Sequence, residues 1–263
     1  KYFLDKCNFL GLLGSLSTFL MQEIHLNENT IESIKDIGMG HSVYLVTATN
    51  KKQAVIKEVD KKHPQFYYEL LEILGWPSIN LNYIENEMGQ WIVSDYLVGD
   101  SLTEENLSNI INDDFIIKMA EHAACGDIFG RGDRHLENYI WADNNLYPVD
   151  ISYLFWPDNE TWVKRYIKGG QSEYCVTMLR KGSKTIMGQQ KLFWQHYSAT
   201  IELCAQHKPA IVKLISKHYE NQQAEVFKQY IERVFIDSSS YINMQKESYD
   251  ESFKVFKKRY KLK

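Results

Sequence analysis

Apolar positions along this chain recur at two different spacings, and the changes between them mark out its elements. Phe9, Leu12, Leu13, Leu16, Phe19 and Leu20 recur at helical spacing, so an amphipathic helix packed on the body of the protein is expected within residues 1–29. Over residues 30–60 the pattern changes. Ile34, Ile37, Val43, Leu45 and Val46 surround a glycine pair, and Asn50-Lys51-Lys52 makes a turn before Ala54-Val55-Ile56-Lys57-Glu58-Val59. Short apolar runs divided by turn residues predict a three-strand meander. From His63 to Gly75 the spacing is helical again, with Pro64 placed for a helix start and Gly75 for its end. Two more strands, around residues 81–84 and 90–97, are joined by Glu85-Asn86-Glu87-Met88-Gly89, and Gly99-Asp100 ends the run.

Beyond Leu102 the pattern is mostly helical, apart from a hairpin that carries Asp133 to Asp150 and an irregular stretch over residues 156–183. Five strands with one helix after the third, followed by helices, predict an α+β, bilobal, protein-kinase-like fold. Its N-lobe is a small antiparallel β-sheet plus one helix, and its C-lobe is mainly helical. The expected division is a helical extension over 1–29, the N-lobe over 30–99 and the C-lobe over 100–263, with the catalytic hairpin at 130–152.

Composition narrows the function classes. With 263 residues, 44% of them hydrophobic and 24% charged, the chain can bury a sizeable core. A formal charge of -4 excludes a nucleic-acid binder that works by bulk electrostatics, so no nucleic-acid partner is expected. Cys7, Cys125, Cys175 and Cys204 are scattered, without spacing for zinc or a dense disulfide framework, which fits reduced thiols in a cytoplasmic protein. The apolar stretch from Phe9 to Met21 is too short to span a bilayer, so no transmembrane segment is expected. Asp5 and the lack of a small-x-small site argue against a signal peptide, and the start at Lys1 points to a trimmed or excised chain. Lys254, Lys257, Lys258, Arg259, Lys261 and Lys263 can touch an acidic partner or membrane surface, or can simply form a solvated helix end.

The chemistry-bearing residues are concentrated in the hairpin. Residues 130 to 138 read Gly-Arg-Gly-Asp-Arg-His-Leu-Glu-Asn, and twelve positions beyond Asn138 comes Asp150. Phosphoryl transfer asks a protein mainly for positioning and charge neutralisation, and this set supplies the oxygen groups for it. Asp133 is the candidate base, or orienter, for an attacking hydroxyl. Asn138 and Asp150 are candidate magnesium ligands, because hard cations select oxygen donors. His135 either stabilises charge on the transferring group or shares the base role. Arg134 either belongs to the site or is a structural residue paired with a carboxylate. Glycine, aspartate and asparagine also form ordinary turns. Here, however, Tyr139-Ile140-Trp141 and Leu146-Tyr147-Pro148-Val149 flank Ala142-Asp143-Asn144-Asn145, which places Asn138 and Asp150 at neighbouring ends of one hairpin.

The N-lobe offers matching parts. Lys57 ends an Ala-Val-Ile-Lys strand, from which a lysine reaches nucleotide phosphates, and a carboxylate of the next helix commonly holds it. Glu69 is the candidate for that carboxylate, with Glu72 the alternative one turn on. Gly38, Gly40 and Ser42 lie in a loop whose backbone N–H groups can cover phosphates. Ser94, Asp95, Tyr96 and Leu97 form the candidate hinge that meets an adenine through backbone hydrogen bonds.

Gly132-Asp133-Arg134-His135-Leu136-Glu137-Asn138, followed by Val149-Asp150, resembles the signature of the phosphoinositide 3- and 4-kinase-like superfamily, which includes lipid kinases, related atypical protein kinases and the actin-fragmin kinase. The resemblance is clear over residues 126–155. It implies ATP and magnesium as cofactors, Asp133 and His135 as catalytic residues, Asn138 and Asp150 as metal ligands, and Lys57 as the phosphate lysine. The second metal motif departs from Asp-Phe-Gly, reading Asp150-Ile151-Ser152. His135, Glu137-Asn138, Tyr147-Pro148-Val149-Asp150 and Leu154-Phe155 are also similar to the dehydratase domain of class II lanthipeptide synthetases. The function expected is transfer of the ATP γ-phosphate to a hydroxyl of a protein Ser or Thr, since only Lys164, Arg165 and Lys168 approach a basic cluster for an inositide headgroup. A phosphoinositide lipid acceptor, a lanthipeptide-dehydratase-like reaction, AMP transfer and a nucleotide-binding pseudokinase are the alternatives.

Overall fold

The structure is a computed structural model that describes residues 31–38, 43–58, 62–86, 89–132, 134–151, 154–155 and 186–260. The helix expected within 1–29 and the irregular stretch at 156–183 lie outside them. Two compact units divide the chain, Lys1–Gln65 with Ile79–Leu97 and Phe66–Ser78 with Val98–Lys263.

In the first unit, β1 (Ile31–Asp36), β2 (Val43–Ala48), β3 (Gln53–Glu58), β4 (Leu81–Asn86) and β5 (Gly89–Asp95) form one antiparallel sheet in the order β1-β2-β3-β5-β4. The meander and the later strand pair are those that the apolar runs predict. Strand alternation gives the sheet two unlike faces. Val46, Ala48, Ala54, Ile56, Trp91 and Val93 are buried on one face. On the other, Val43, Leu45, Val55 and Lys57 are only half-buried. Between β2 and β3 the chain turns at Lys51 (φ 66°), and Lys52 donates its backbone N–H to the Asn50 side chain.

The helix after β3, α1 (Lys62–Ile73), belongs mostly to the second unit. It ends as its sequence predicts. Gly75 takes φ 69°, its amide donates to Glu72 and the Trp76 amide donates to Leu71, the paired closure that a left-handed glycine allows. Next come α2 (Glu104–Ile110), started by a reciprocal Thr103–Asn106 capping box, and α3 (Asp113–Ile128), started by the Asn112 side chain accepting from the Phe115 amide at 2.8 Å. After the hairpin follow α4 (Ile186–Gln206), α5 (Lys208–His218), α6 (Asn221–Ile236) and α7 (Ser238–Tyr260). The chain is therefore α+β, a small antiparallel sheet ahead of a mainly helical part, as its sequence predicts, except that the helix expected in the N-lobe falls mostly in the second unit.

The hairpin differs in two details from the sequence expectation. A short strand, β6 (Asp100–Ser101), pairs with β7 (Tyr139–Ala142), which pairs with β8 (Asn145–Pro148). Gly99 makes that approach possible, because a Cβ there would lie 2.7 Å from the Trp141 carbonyl oxygen. Ala142 and Asn145 are themselves paired, so the turn is only Asp143-Asn144, with φ of 50° and 56°. Two positive φ values mark the primed two-residue turn, whose twist matches that of its strands.

The core of the second unit runs along α3, whose residues Ala120, Ala123, Ala124, Cys125 and Ile128 are buried against α4 with its buried Phe193, Tyr197, Ile201 and Cys204. Phe66, Phe129, Phe155, Tyr219 and Phe227 form an aromatic cluster, with Phe155 and Phe227 stacked at 4.0 Å. The basic stretch expected at 254–263 runs in α7 as far as Tyr260. There Lys254 pairs with Glu251, and Lys257 lies 5.9 Å from the centre of the Phe253 ring. Among the described residues no helix is long and apolar enough to cross a membrane.

Candidate active site

The hairpin delivers two of the candidate ligands by backbone geometry. Asn138 closes a 3-10 turn, Leu136–Asn138, in which its amide donates to the His135 carbonyl at 3.0 Å. The Val149 amide then donates to the Asn138 carbonyl at 2.9 Å, extending the β7–β8 ladder past Pro148. Asp150 follows directly, so the hairpin brings Asn138 and Asp150 to adjacent backbone positions. Asn138 is buried and Asp150 half-buried. Tyr68, on α1, donates its hydroxyl to the Pro148 carbonyl at 2.7 Å and fixes the strand end from the far side. Burial pushes the Tyr68 hydroxyl above its ordinary pKa, Arg131 works against that rise and the Asp150 carboxylate adds to it. Past Asp150 the chain is anchored by buried Ile151 and by Phe155, whose amide donates to Phe129 at 2.8 Å.

The loop ahead of Asn138 is clamped from below. Of the two roles open for Arg134, the geometry found is the pairing with a carboxylate: its Nη2 lies 2.8 Å from Asp127 Oδ1, with side-chain exposures of 7% and 2%. Nη1 donates to the Ala123 carbonyl at 3.3 Å. Gly126 leaves the notch for this side chain, since a Cβ there would come 2.5 Å from Arg134 Nη1. Arg131 is buried with its guanidinium 4.7 Å from the centre of the Tyr139 ring and 5.5 Å from that of Tyr67, and it donates to the Tyr139 hydroxyl at 2.9 Å. His135 Nδ1 lies 3.9 Å from Glu137 Oε2. Asp133, the candidate base, lies outside the described residues.

Behind the hairpin, His122 is buried edge-on to Trp76 and Tyr139. Burial first, and the Arg131 charge second, push its pKa down to about 3. It is therefore a neutral packing residue.

On the first unit, Lys57 sits on β3 between Val43 and Ile92, on the half-buried face of the sheet. Gly38 opens the glycine loop by donating its amide to Asp36 Oδ1 at 3.0 Å, and the Ile37 amide closes it onto Val43 at 2.9 Å. Gly40 and Ser42 lie outside the described residues. At the candidate hinge, Asp95 is exposed at the end of β5, Tyr96 is exposed and Leu97 half-buried. The Tyr96 amide already donates to the Gln53 carbonyl at 3.1 Å, so it is committed to the sheet. Glu69 lies on the part of α1 that belongs to the second unit, and there it has partners the sequence did not point to. Its Oε2 accepts from Lys217 at 2.6 Å and lies 3.2 Å from His218 Nε2. Partial burial raises the Glu69 pKa, but the Lys217 bond and the nearby His218 outweigh it and hold the carboxyl below its ordinary value.

Sequence reasoning missed Asp127, Tyr68 and Arg131. For Asp127 a signal was present, an acid in the otherwise apolar run Ala123-Ala124-Cys125-Gly126-Asp127-Ile128-Phe129. A carboxylate at a buried helical position requires a partner.

No protein-family model matches the chain, and no curated protein sequence does. Among solved structures, the crystal structure of a Helicobacter pylori proinflammatory kinase CtkA is similar at 10% sequence identity and a TM-score of 0.45, over 86% of this chain and 96% of that chain. A likeness of that degree bears on neither substrate nor cofactor.

Proposed function

We propose that the chain is a kinase that transfers the γ-phosphate of ATP to a hydroxyl, with protein Ser or Thr as the acceptor. One observation supports this reading: the bond from the Val149 amide to the Asn138 carbonyl, which sets the backbone of Asn138 opposite that of Val149, one residue before Asp150, in a chain that has just passed Asp133-Arg134-His135.

The donor set fits magnesium. Amide and carboxylate oxygens are hard ligands, and magnesium completes its shell with waters and substrate phosphates rather than with a protein cage. Asn138 and Asp150 would hold the ion, which when bound neutralises phosphate charge. The remaining work falls to the chain. Lys57, on the half-buried sheet face, supplies a cation for the phosphates. Asp133 receives or orients the acceptor proton, and His135 either shares that task or faces the transferring group. The Arg134–Asp127 pair holds the loop that carries them.

The test is incubation with γ-labelled ATP and magnesium in the presence of Ser/Thr-containing protein or of phosphoinositide vesicles. Label in protein is the expected result. Label in lipid alone would reassign the acceptor, and no transfer to either would overturn the kinase reading.

A further inference from the structure

We propose that Asp127 is a positioning residue for the 131–138 loop, acting through Arg134, and that the C-terminal helix α7 takes part in that control through Tyr249. This rests on the kinase reading above for its consequence in turnover, but not for its geometry.

Asp127 stands at the end of α3 with 4% exposure and spends both carboxylate oxygens. Oδ1 accepts from Arg134 at 2.8 Å. Oδ2 accepts from the hydroxyls of Tyr197 on α4 at 2.7 Å and Tyr249 on α7 at 2.9 Å. The backbone carbonyl of the same residue takes the Tyr230 hydroxyl of α6 at 3.5 Å. One residue thus joins three helices that follow the hairpin to a loop that precedes it. Burial pushes the Tyr197 hydroxyl well above its ordinary pKa and the Asp127 charge adds to this, so Tyr197 remains a donor at any working pH.

A buried ion pair is a poor device for stability alone, because desolvation opposes the attraction and a well-packed apolar pair of similar volume does as well. Such a pair is good at specifying one arrangement. Arg134 is fixed at both Nη atoms and seated in the Gly126 notch, and it lies between Asp133 and His135 in sequence. A shift of Arg134 therefore moves His135, the next residue in the chain. Misplacement by about 1 Å costs on the order of 10²-fold in rate where geometry is the source of catalysis.

The experiment compares the wild-type chain with Asp127→Asn and with Tyr249→Phe, which keeps the ring and leaves the charge untouched. Steady-state kinetics with magnesium-ATP are expected to show kcat reduced about 10–100-fold in Asp127→Asn, the range typical of lost supporting contacts around a site. KM for ATP should stay near the wild-type value. Tyr249→Phe should lower kcat in the same direction by a smaller factor. Hydrogen exchange, which needs no enzymatic activity, should quicken at the amides of residues 131–138 in both variants while α5 and α6 keep wild-type protection. Unchanged exchange at 131–138, or exchange that quickens evenly through the helical unit, would overturn the proposal. If the wild type transfers no phosphate, the kinase reading fails, and the exchange pattern alone decides the positioning role by the same two outcomes.

Discussion

The Val149 amide donates to the Asn138 carbonyl across 2.9 Å, and through that bond a two-residue turn that begins five positions beyond Asn138 controls where Asp150 lies. Tyr139 pairs with Pro148, Trp141 with Leu146 and Ala142 with Asn145, so the register set at Asp143-Asn144 runs without a break to the candidate ligands. A slip of one residue would turn each following side chain to the opposite face.

The turn is accordingly a sensitive place. Asp143 and Asn144 hold φ of 50° and 56°, which a β-branched residue adopts only with strain. Asn144→Val is expected to cost about 1–2 kcal/mol, while Asn144→Gly is expected to be neutral or stabilising by up to about 1 kcal/mol. Urea unfolding of the two variants checks this, and equal stability would show that the turn is not under this constraint.

Gly126→Ala sets two effects against each other. Alanine is the better helix former by about 1 kcal/mol. Its Cβ, however, would meet Arg134 Nη1 at 2.5 Å and Cδ at 2.9 Å. Arg134 is buried and bonded at both Nη atoms, so it cannot swing away cheaply, and overpacking of this kind typically costs about 1–3 kcal/mol. Net destabilisation is expected, measured as a lower unfolding midpoint; a raised midpoint would mean that the notch is not needed.

His122 gives the protein an acid-sensitive element. Its folded pKa of about 3 lies below the ordinary 6.5, so below that ordinary value the unfolded chain binds a proton that the native state refuses. The stability owed to neutral His122 is thus fully present above about pH 6.5 and is lost as pH falls toward about 3. Inside that window the loss is about 1.4 kcal/mol per pH unit. His122→Phe, which keeps an aromatic ring beside Trp76 and Tyr139, should remove this slope from the difference between unfolding free energies at about pH 6 and about pH 4.5. Parallel pH profiles for wild type and variant would contradict the assignment.

The sheet and α1 were legible because local rules agree there. Ala54-Val55-Ile56-Lys57 alternates between a buried and a half-buried face, and Gly75 closes a helix where only a left-handed residue fits. Asp100-Ser101 was not legible, since a two-residue strand has no period to read. Asn138 and Asp150 could be placed together because the hairpin between them is short and strongly patterned. The partners of Asp127 could not be found in the same way, since Tyr197 and Tyr249 lie 70 and 122 residues away and look like ordinary apolar positions of helices. Lys217 and His218 are similarly remote from Glu69 in the chain, and no local pattern joins them.

The most direct test of phosphotransfer by the Asp133 to Asp150 hairpin is to measure magnesium-ATP binding by calorimetry and turnover with labelled ATP in parallel, for wild type, Asp133→Ala and Asp150→Ala. Asp150→Ala should lose magnesium-dependent nucleotide binding. Asp133→Ala should bind as wild type does and turn over about 10²–10⁴-fold more slowly, the usual contribution of a positioned base. Wild-type turnover by Asp133→Ala would contradict the account.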